Sequence, residues 1–502
     1  MLILNMTANS INFIRRGEVV TLPNVSPTRT LLQVLREDLS CTSVKEGCNE
    51  GDCGACTVVL GEALYGKVSF RAVNSCIRFA HSVSGMAVWA AEDLVASDGS
   101  LHPAQQAMVI CHGSQCGFCT PGFVMSLFAM YQNRLRMGQT ISREQAIEDL
   151  SGNLCRCTGY RPILDAAQVM GALKASPIDE VSLLQQLELL KHGIREPEVK
   201  TTYISPQNLH DLLWHRARLP KAQLVAGCTD VGLWVNKLHM NFDQVLDVTQ
   251  VRELKRVEKY RHHIAIGAAV SLHDAFAALV QDRPQLRAFA LRFAGLPVRN
   301  SGTLGGNVAN GSPIGDSMPL LIALGSNVVL MRMHKDSIVH REMPLEKLYT
   351  GYRQNMMASD EVLAWIKIPR PQASEVSRIY KVSKRFEDDI SAVCLGVHLH
   401  MDNGVVASAS IGVGGVAATP VRAVKTEVAL KGQPWTISTV KLAMDVLRQE
   451  FQPISDMRAS SHYRTQVLGN LLQRFWRTSQ GEEQISLESF DPDQLLSHEA
   501  PL

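Results

Sequence analysis

Cys48-Asn-Glu-Gly-Asp-Cys53-Gly-Ala-Cys56 places three cysteines within nine residues, and Cys76 follows after 19 more. This is the C-x4-C-x2-C...C spacing by which a plant-type [2Fe-2S] centre is held. Wrapping so short a segment round a cluster needs positive φ and amides that approach sulfur closely, and Gly47, Gly51 and Gly54 permit both. Such amides stabilise the negative charge of the bridging sulfides and tune the potential. Upstream, residues 11–14 and 19–22 flank Gly17 as a predicted hairpin, and Thr30-Leu-Leu-Gln33 reads as a capping box that opens a short helix. Hairpin, helix and metal loop together predict a β-grasp ferredoxin domain over 1–91.

A second group, Cys116-Gly-Phe-Cys119 with Cys155-Arg-Cys157, is built differently. Each pair stands where a helix is predicted to begin. Thr120-Pro121 reads as an N-cap with Pro at N1. After the second pair, Pro162 leads into Ile163, Ala166, Ala167 and Met170, apolar at helical spacing. Four helices are predicted: 103–112, 121–134, one opened by the capping box Ser142-Arg-Glu-Gln145 that stops near Gly152, and one from Pro162. A four-helix module over 92–173, with its metal at helix ends, follows.

Cysteine pairs also serve as disulfides or zinc ligands. A disulfide framework suits a long chain with no secretory signal poorly. Spacing alone leaves zinc open; the C-x-C pair and the glycine-packed loop favour iron-sulfur. Cys41, Cys111, Cys228 and Cys394 read as small buried residues.

At 502 residues and 46% hydrophobic content, the chain is long enough for three or four domains, each with a core. A net charge of +2 and no basic stripe argue against nucleic acid. No basic leader with an apolar core opens the chain, and polar residues interrupt 103–133, so neither signal peptide nor membrane span is expected and a cytoplasmic location is. Residues 174–200 read as a polar linker in which 183–190 adds a helical turn or two. Mixed α and β follows over 201–374. In a last unit, 375–480, strands at 392–400 and 405–412 are joined at Asp402-Asn-Gly404, a strong hairpin signal. The tail 481–502 is expected to be mobile.

Leu224-Val225-Ala226-Gly227-Cys228-Thr229-Asp230-Val231-Gly232 runs from an apolar strand into a Gly/Thr turn. Gly302-Thr303-Leu304-Gly305-Gly306-Asn307-Val308-Ala309-Asn310-Gly311-Ser312-Pro313 is a second glycine-rich loop. Two such loops can surround a pyrophosphate with backbone N–H groups, although either alone is usually a turn. Gly412-Val-Gly-Gly-Val-Ala417 fits G-x-G-x-x-A but has no βαβ unit around it, and reads as a strand-end turn.

Six strings in this order, EGCNEGDCGACTV, QCGFCTPGFVMS, CRCTGYRPI, LVAGCTDVG, GTLGGNVANGSPIGDS and KRFEDDIS, resemble the small subunits of bacterial xanthine dehydrogenases within the molybdenum hydroxylase family, from about residue 10 to 478. The resemblance implies a multidomain α+β chain. Its parts are a β-grasp [2Fe-2S] domain, a four-helix [2Fe-2S] domain, a two-subdomain FAD-binding domain of the vanillyl-alcohol-oxidase-like type, and a CO dehydrogenase flavoprotein-like C-terminal domain. It implies cluster ligation by Cys48, Cys53, Cys56 and Cys76, and by Cys116, Cys119, Cys155 and Cys157. FAD pyrophosphate and ribose would lie on 225–232 and on Thr303, Gly305, Gly306 and Asn307, with Asp316 closing the loop. Phe293, Leu363 and Lys381 would line the flavin, and Tyr352 and Asp388 the nicotinamide side. Cys228 stands where such proteins commonly carry Gly or Asn, which puts the local turn geometry in question. With no molybdopterin site read before residue 502, the implied role is an electron relay to FAD and NAD+ from a large molybdopterin-binding partner, in a heterotetramer of two small and two large chains. Another molybdenum hydroxylase, acting on an aldehyde or N-heterocycle, and a zinc-binding scaffold are the alternatives.

Overall fold

The computed structural model of the chain describes residues 9–482 apart from 65, 175, 177, 193–200 and 387. The expected tail from 483 onward and the final stretch of the expected linker lie outside the described residues.

Strands β1 (Ile11–Arg15) and β2 (Glu18–Leu22) form the expected hairpin, turning through Arg16 and Gly17 at φ 54° and 77°. Two successive left-handed residues match the strand twist. Thr30 caps α1 (Leu31–Gln33) reciprocally with Gln33, and the chain continues as a π-helical turn through Asp38. After the cysteine loop come β3 (Thr57–Leu64), β4 (Lys67–Asn74) and β5 (Ala87–Trp89), giving the sheet order β2-β1-β5-β3-β4, with β1 parallel to β5. Alternation along the strands sends side chains to opposite faces. Ile11, Phe13 and Val58 pack with Leu31 and Leu35, whereas Ile14 and Val59 pack against Phe123, Leu127 and Phe128 of the helical module. The sheet is therefore covered on both sides.

The helical module comprises α2 (Pro103–Ile110), α3 (Thr120–Asn133), α4 (Arg143–Leu150) and α5 (Arg161–Val169). Ser142 and Gln145 form the expected capping box, and Ile163, Ala166, Ala167 and Met170 are fully buried. One cap differs from expectation. Cys119, not Thr120, is the N-cap of α3, and the Thr120 hydroxyl pairs with that of Ser114 instead. The linker also differs, because α6 (Glu180–His192) spans 13 residues and buries Leu183, Leu187 and Leu190 in the core shared with the helical module. Their i, i+4, i+7 spacing gives this mostly polar segment one apolar stripe.

The next unit has two sheets. Strands β6 (Tyr203–Ile204), β7 (Gln223–Val225) and β8 (Val245–Asp247) make a parallel sheet in the order β6-β8-β7, with α7 (Leu209–Arg218) and α8 (Val231–Leu238) as crossovers. Then β9 (Val257–Lys259) and β10 (His263–Gly267) lead through α9 (Leu272–Asp282), α10 (Arg287–Leu291), α11 (Leu296–Ser301), α12 (Leu304–Asn310) and α13 (Ser317–Ala323). They are followed by β11 (Asn327–His334), β12 (Ser337–Pro344), the hairpin β13 (Tyr349–Gly351) with β14 (Gln354–Asn355), and β15 (Val362–Pro369). The antiparallel order is β12-β11-β15-β10-β9. The last unit, β16 (Glu375–Val382), β17 (Val393–Asp402), β18 (Val405–Gly414) and β19 (Val421–Arg422), carries α14 (Val424–Leu430), α15 (Ile437–Glu450) and α16 (Ser461–Ser479). Its β17–β18 turn passes through Asn403 and Gly404, both at positive φ. Of the expected strand-end turn at 412–417, Gly412 and Gly414 still lie in β18, packed on Pro319 of α13, and the turn follows at Gly415, φ 81°.

Candidate functional site

The first cysteine loop gathers its sulfurs by backbone donation. The amides of Cys53 and Glu50 donate to Cys48 Sγ at 3.3 and 3.4 Å, and the Cys48 amide donates to Cys53 Sγ at 3.4 Å. Sulfur contacts then run as a chain. Contact with Cys53, then Cys76, pushes the Cys48 thiol down, and contact with Cys76 pushes Cys56 down, while Cys53 and Cys76 are pushed up as proton-holding partners. Among the described residues no group of three or more His, Cys, Asp or Glu is gathered as one metal ion requires. Four thiols on this loop and its flank are the donor set that a binuclear iron-sulfur centre, two thiolates to each iron, would take. Gly47 is not left-handed; it is small because a Cβ would stand 2.8 Å from Cys53 Sγ.

The second group faces outward. Cys116 and Cys157 are exposed and touch each other, whereas Cys119 and the buried Cys155 pair behind them. Burial, then the Cys155 contact, pushes Cys119 up to about 12. Burial also raises Cys155, but the hydroxyl of Thr158 at 3.2 Å and its amide at 3.5 Å more than offset it and hold that thiol below its ordinary value. Cys111, expected to be buried, is only half-buried, because it caps the end of α2 at the surface.

One backbone hydrogen bond joins the two groups. Leu154, beside Cys155, donates its N–H to the carbonyl of Cys53 at 3.0 Å. Buried Asn153 donates to the Gly54 carbonyl at 3.1 Å and accepts from Ser126. Gly54, at φ 70°, lies so close that a Cβ would meet the Gly152 carbonyl at 2.3 Å.

The two glycine-rich segments meet. Beyond β7, Gly227 and Cys228 are both left-handed, at φ 92° and 65°, and the turn then enters α8. Cys228 therefore tolerates the turn while its side chain fills a core with Phe79, Tyr203 and Val245, where burial pushes its thiol up to about 12. The stretch expected to be a loop at 302–313 is largely helical, because Thr303 caps α12 by accepting the Gly306 amide at 2.9 Å. The Thr303 hydroxyl also reaches the Ala226 carbonyl at 3.4 Å. Asp230 is pushed up by burial, opposed by Arg353 and Asn310, so the hairpin β13–β14 faces the same turn.

Asp316 is 6% exposed; one carboxylate oxygen pairs with Lys381 Nζ at 2.9 Å and the other has no partner among the described residues. Lys381 also donates to the Arg292 carbonyl, beside Phe293. Phe293 and Leu363 lie in one apolar core. Asp388 accepts the Gly295 N–H at 2.8 Å; burial, then the charge of Asp52 in the cysteine loop, raises it to about 6. Tyr352 is 57% exposed, and no described contact brings it to Asp388. A crevice of about 1630 Å³ lies between β3–β4, α6 and α7 and reaches this region at Asn300, Ser301 and Thr303. Sequence reasoning missed Asn153, Asp52 and Asn310. Their one signal was proximity to a cysteine or glycine motif.

Four families match in succession. The 2Fe-2S iron-sulfur cluster binding domain matches 13–77, the [2Fe-2S] binding domain 90–168, the FAD binding domain in molybdopterin dehydrogenase 198–371, and the CO dehydrogenase flavoprotein C-terminal domain 378–479. The chain is 34% identical over 480 residues to the xanthine dehydrogenase of Drosophila pseudoobscura pseudoobscura, covering 84% of this chain and 35% of that protein. It is 31% identical over 520 residues to the xanthine dehydrogenase/oxidase of Gallus gallus, covering 88% and 38%. The chain thus spans little more than a third of these relatives. Among solved structures, carbon monoxide dehydrogenase from Hydrogenophaga pseudoflava superposes with a TM-score of 0.52 at 25% identity, covering 56% of this chain and 97% of that one. Quinoline 2-oxidoreductase from Pseudomonas putida 86, at 22% identity and a TM-score of 0.50 over 58% of this chain and 99% of that one, shares the fold. No described helix is long and apolar enough to cross a membrane. By this domain set, two [2Fe-2S] domains, an FAD-binding domain and a flavoprotein C-terminal domain, the chain belongs to the molybdenum hydroxylase family.

Proposed function

We propose that the chain is the electron-transfer subunit of a cytoplasmic xanthine dehydrogenase, relaying electrons from a molybdopterin-bearing partner through two [2Fe-2S] centres to FAD and on to NAD+. Cys48, Cys53, Cys56 and Cys76 hold one centre, and Cys116, Cys119, Cys155 and Cys157 the other. The observation that carries this reading is the Leu154-to-Cys53 hydrogen bond of 3.0 Å, which joins a cysteine group with two exposed members to a loop bonded to residues 232–237 of the FAD-binding unit. Exposed Phe118, between Cys116 and Cys119, gives the outward group an apolar rim suited to a partner surface. Iron-sulfur centres carry single electrons and NAD+ accepts a hydride, so the flavin supplies the conversion between one- and two-electron steps.

The chain's own residues bind and orient. Val225, Ala226, Gly227, Cys228, Thr229, Asp230, Val231 and Gly232 are assigned, with Thr303, Gly305, Gly306 and Asn307, to pyrophosphate and ribose, the two turns meeting where the Thr303 hydroxyl reaches the Ala226 carbonyl. The Asp316 oxygen that is unpaired among the described residues would accept a donor from the cofactor, while Lys381 fixes its other oxygen. Phe293 and Leu363 keep water from the ring site. Tyr352 and Asp388 are assigned to the nicotinamide side. Xanthine, rather than another substrate, is favoured because the matches over 84% to 88% of the chain are xanthine dehydrogenases. The chain purified with its partner should reduce NAD+ on addition of xanthine, and about four iron atoms with labile sulfide and one FAD should be released per chain. Zinc without flavin would end this reading.

A further inference from the structure

Helix α8 has two jobs in sequence and space. Its first residue closes the turn 225–230, and its flank lies on the first cysteine loop. Gly232 runs under the Ile77 carbonyl, where a Cβ would stand at 2.3 Å. One turn on, the Asn236 amide nitrogen reaches the Cys76 carbonyl at 2.8 Å, the Asn49 side-chain oxygen at 3.1 Å and the Asn49 carbonyl at 3.3 Å. Lys237 Nζ donates to the Cys48 carbonyl at 2.7 Å, with Glu50 at 3.5 Å as its carboxylate neighbour. Two of the four cysteines proposed to hold this centre thus present their carbonyls to donors from another unit.

We propose that Asn236 and Lys237 are positioning residues that set the reduction potential of the centre held by Cys48, Cys53, Cys56 and Cys76 and fix it to the helix that carries the flavin turn. This rests on the reading of those cysteines as cluster ligands. Hydrogen bonds and charge around a cluster set its potential. A cation bonded to a ligand residue's carbonyl stabilises the added electron and raises the potential. Lys237 is 44% exposed in its side chain, so salt screens its share; the Asn236 amide bonds are dipolar, short-range and insensitive to salt.

The test is an EPR-monitored redox titration of the full chain with its clusters. Lys237→Met moves the midpoint of this centre to more negative potential, lowering its equilibrium share of electrons on the order of five-fold, what one nearby charge commands under water-like screening. Lys237→Arg restores it, added salt shrinks the difference, and the Cys116-group centre stays unmoved. Asn236→Asp, which puts an acceptor where the donor stood, shifts the same midpoint in the same direction. Should Asn236→Asp lose the centre outright, Lys237→Met, which removes a half-exposed charge and its one bond to the Cys48 carbonyl, still decides. An unmoved midpoint in Lys237→Met at full cluster content, or equal movement of both centres, overturns the proposal. Absence of this centre's signal from the unmutated chain would instead sink the reading of the cysteines.

Discussion

Asp388 shows how one side chain responds to the junction it occupies. Its carboxyl is raised to about 6, above its unfolded value of ~3.9. A raised acid binds its proton more tightly when folded, so its contribution to stability is full below pH ~4 and is lost as pH climbs through about 6. Asp388→Asn should therefore match the unmutated chain at pH 4 and exceed it at pH 8, on the order of 1–2 kcal/mol after screening. Denaturant midpoints at the two pH values check this, and equal gains at both would contradict it. Cys228 gives a second residue-level prediction. Buried and pushed up to about 12, it should resist iodoacetamide at pH 8 in the folded chain, as should Cys41, pushed up by burial to about 11. Peptide mapping after native labelling reads the outcome. At this scale the cysteines were legible from spacing because cluster geometry constrains sequence directly. Asn153 and Asn236 were not, since their partners lie 99 and 160 residues away in the chain, at Gly54 and Cys76.

Elements were legible where the signal is local. Thr30 and Ser142 announced their helices through capping boxes, and Asn403-Gly404 its hairpin, because each device is complete within four residues. The 302–313 stretch misled because its glycines suggest a loop, whereas close packing demands them. A Cβ on Gly305 would meet Ala268 at 2.4 Å, so small residues let α12 lie against the strand end. The Thr303 cap belongs to this element. Thr303→Ala should cost about 1 kcal/mol, the usual loss for a missing N-cap, and should also loosen FAD, because its hydroxyl ties α12 to the Ala226 carbonyl. Thermal unfolding and flavin retention on dilution check both. Unchanged retention would separate the cap from the binding turn. The linker helix α6 was underestimated for the opposite reason, its buried stripe of Leu183, Leu187 and Leu190 being blurred by the exposed Val181 and Leu189.

The whole molecule is organised by contacts between units, which no local pattern encodes. Gly54, Gly152 and Gly295 meet where the cysteine loop, the helical module and the flavin unit converge. On the far side, Arg283 after α9 forks onto Glu375 of β16 at 2.8 and 3.0 Å, both side chains nearly sealed from solvent. Removing one partner of such a pair strands a buried charge. Arg283→Met leaves Glu375 with the Ser377 hydroxyl and His398 at 3.3 Å, so it should destabilise the junction of these units by roughly 3 kcal/mol, the low end for a broken buried pair, and Arg283→Met with Glu375→Leu should recover part of it. The central claim, that electrons pass between flavin and both cysteine-held centres within this chain, is tested most directly by adding NADH anaerobically to the purified protein and following flavin absorbance with EPR. The account predicts bleaching of the flavin followed by two distinct iron-sulfur signals, of which Cys157→Ser removes one and leaves the other. A flavin that NADH bleaches while both centres stay oxidised, or a single signal lost entirely in Cys157→Ser, would contradict it.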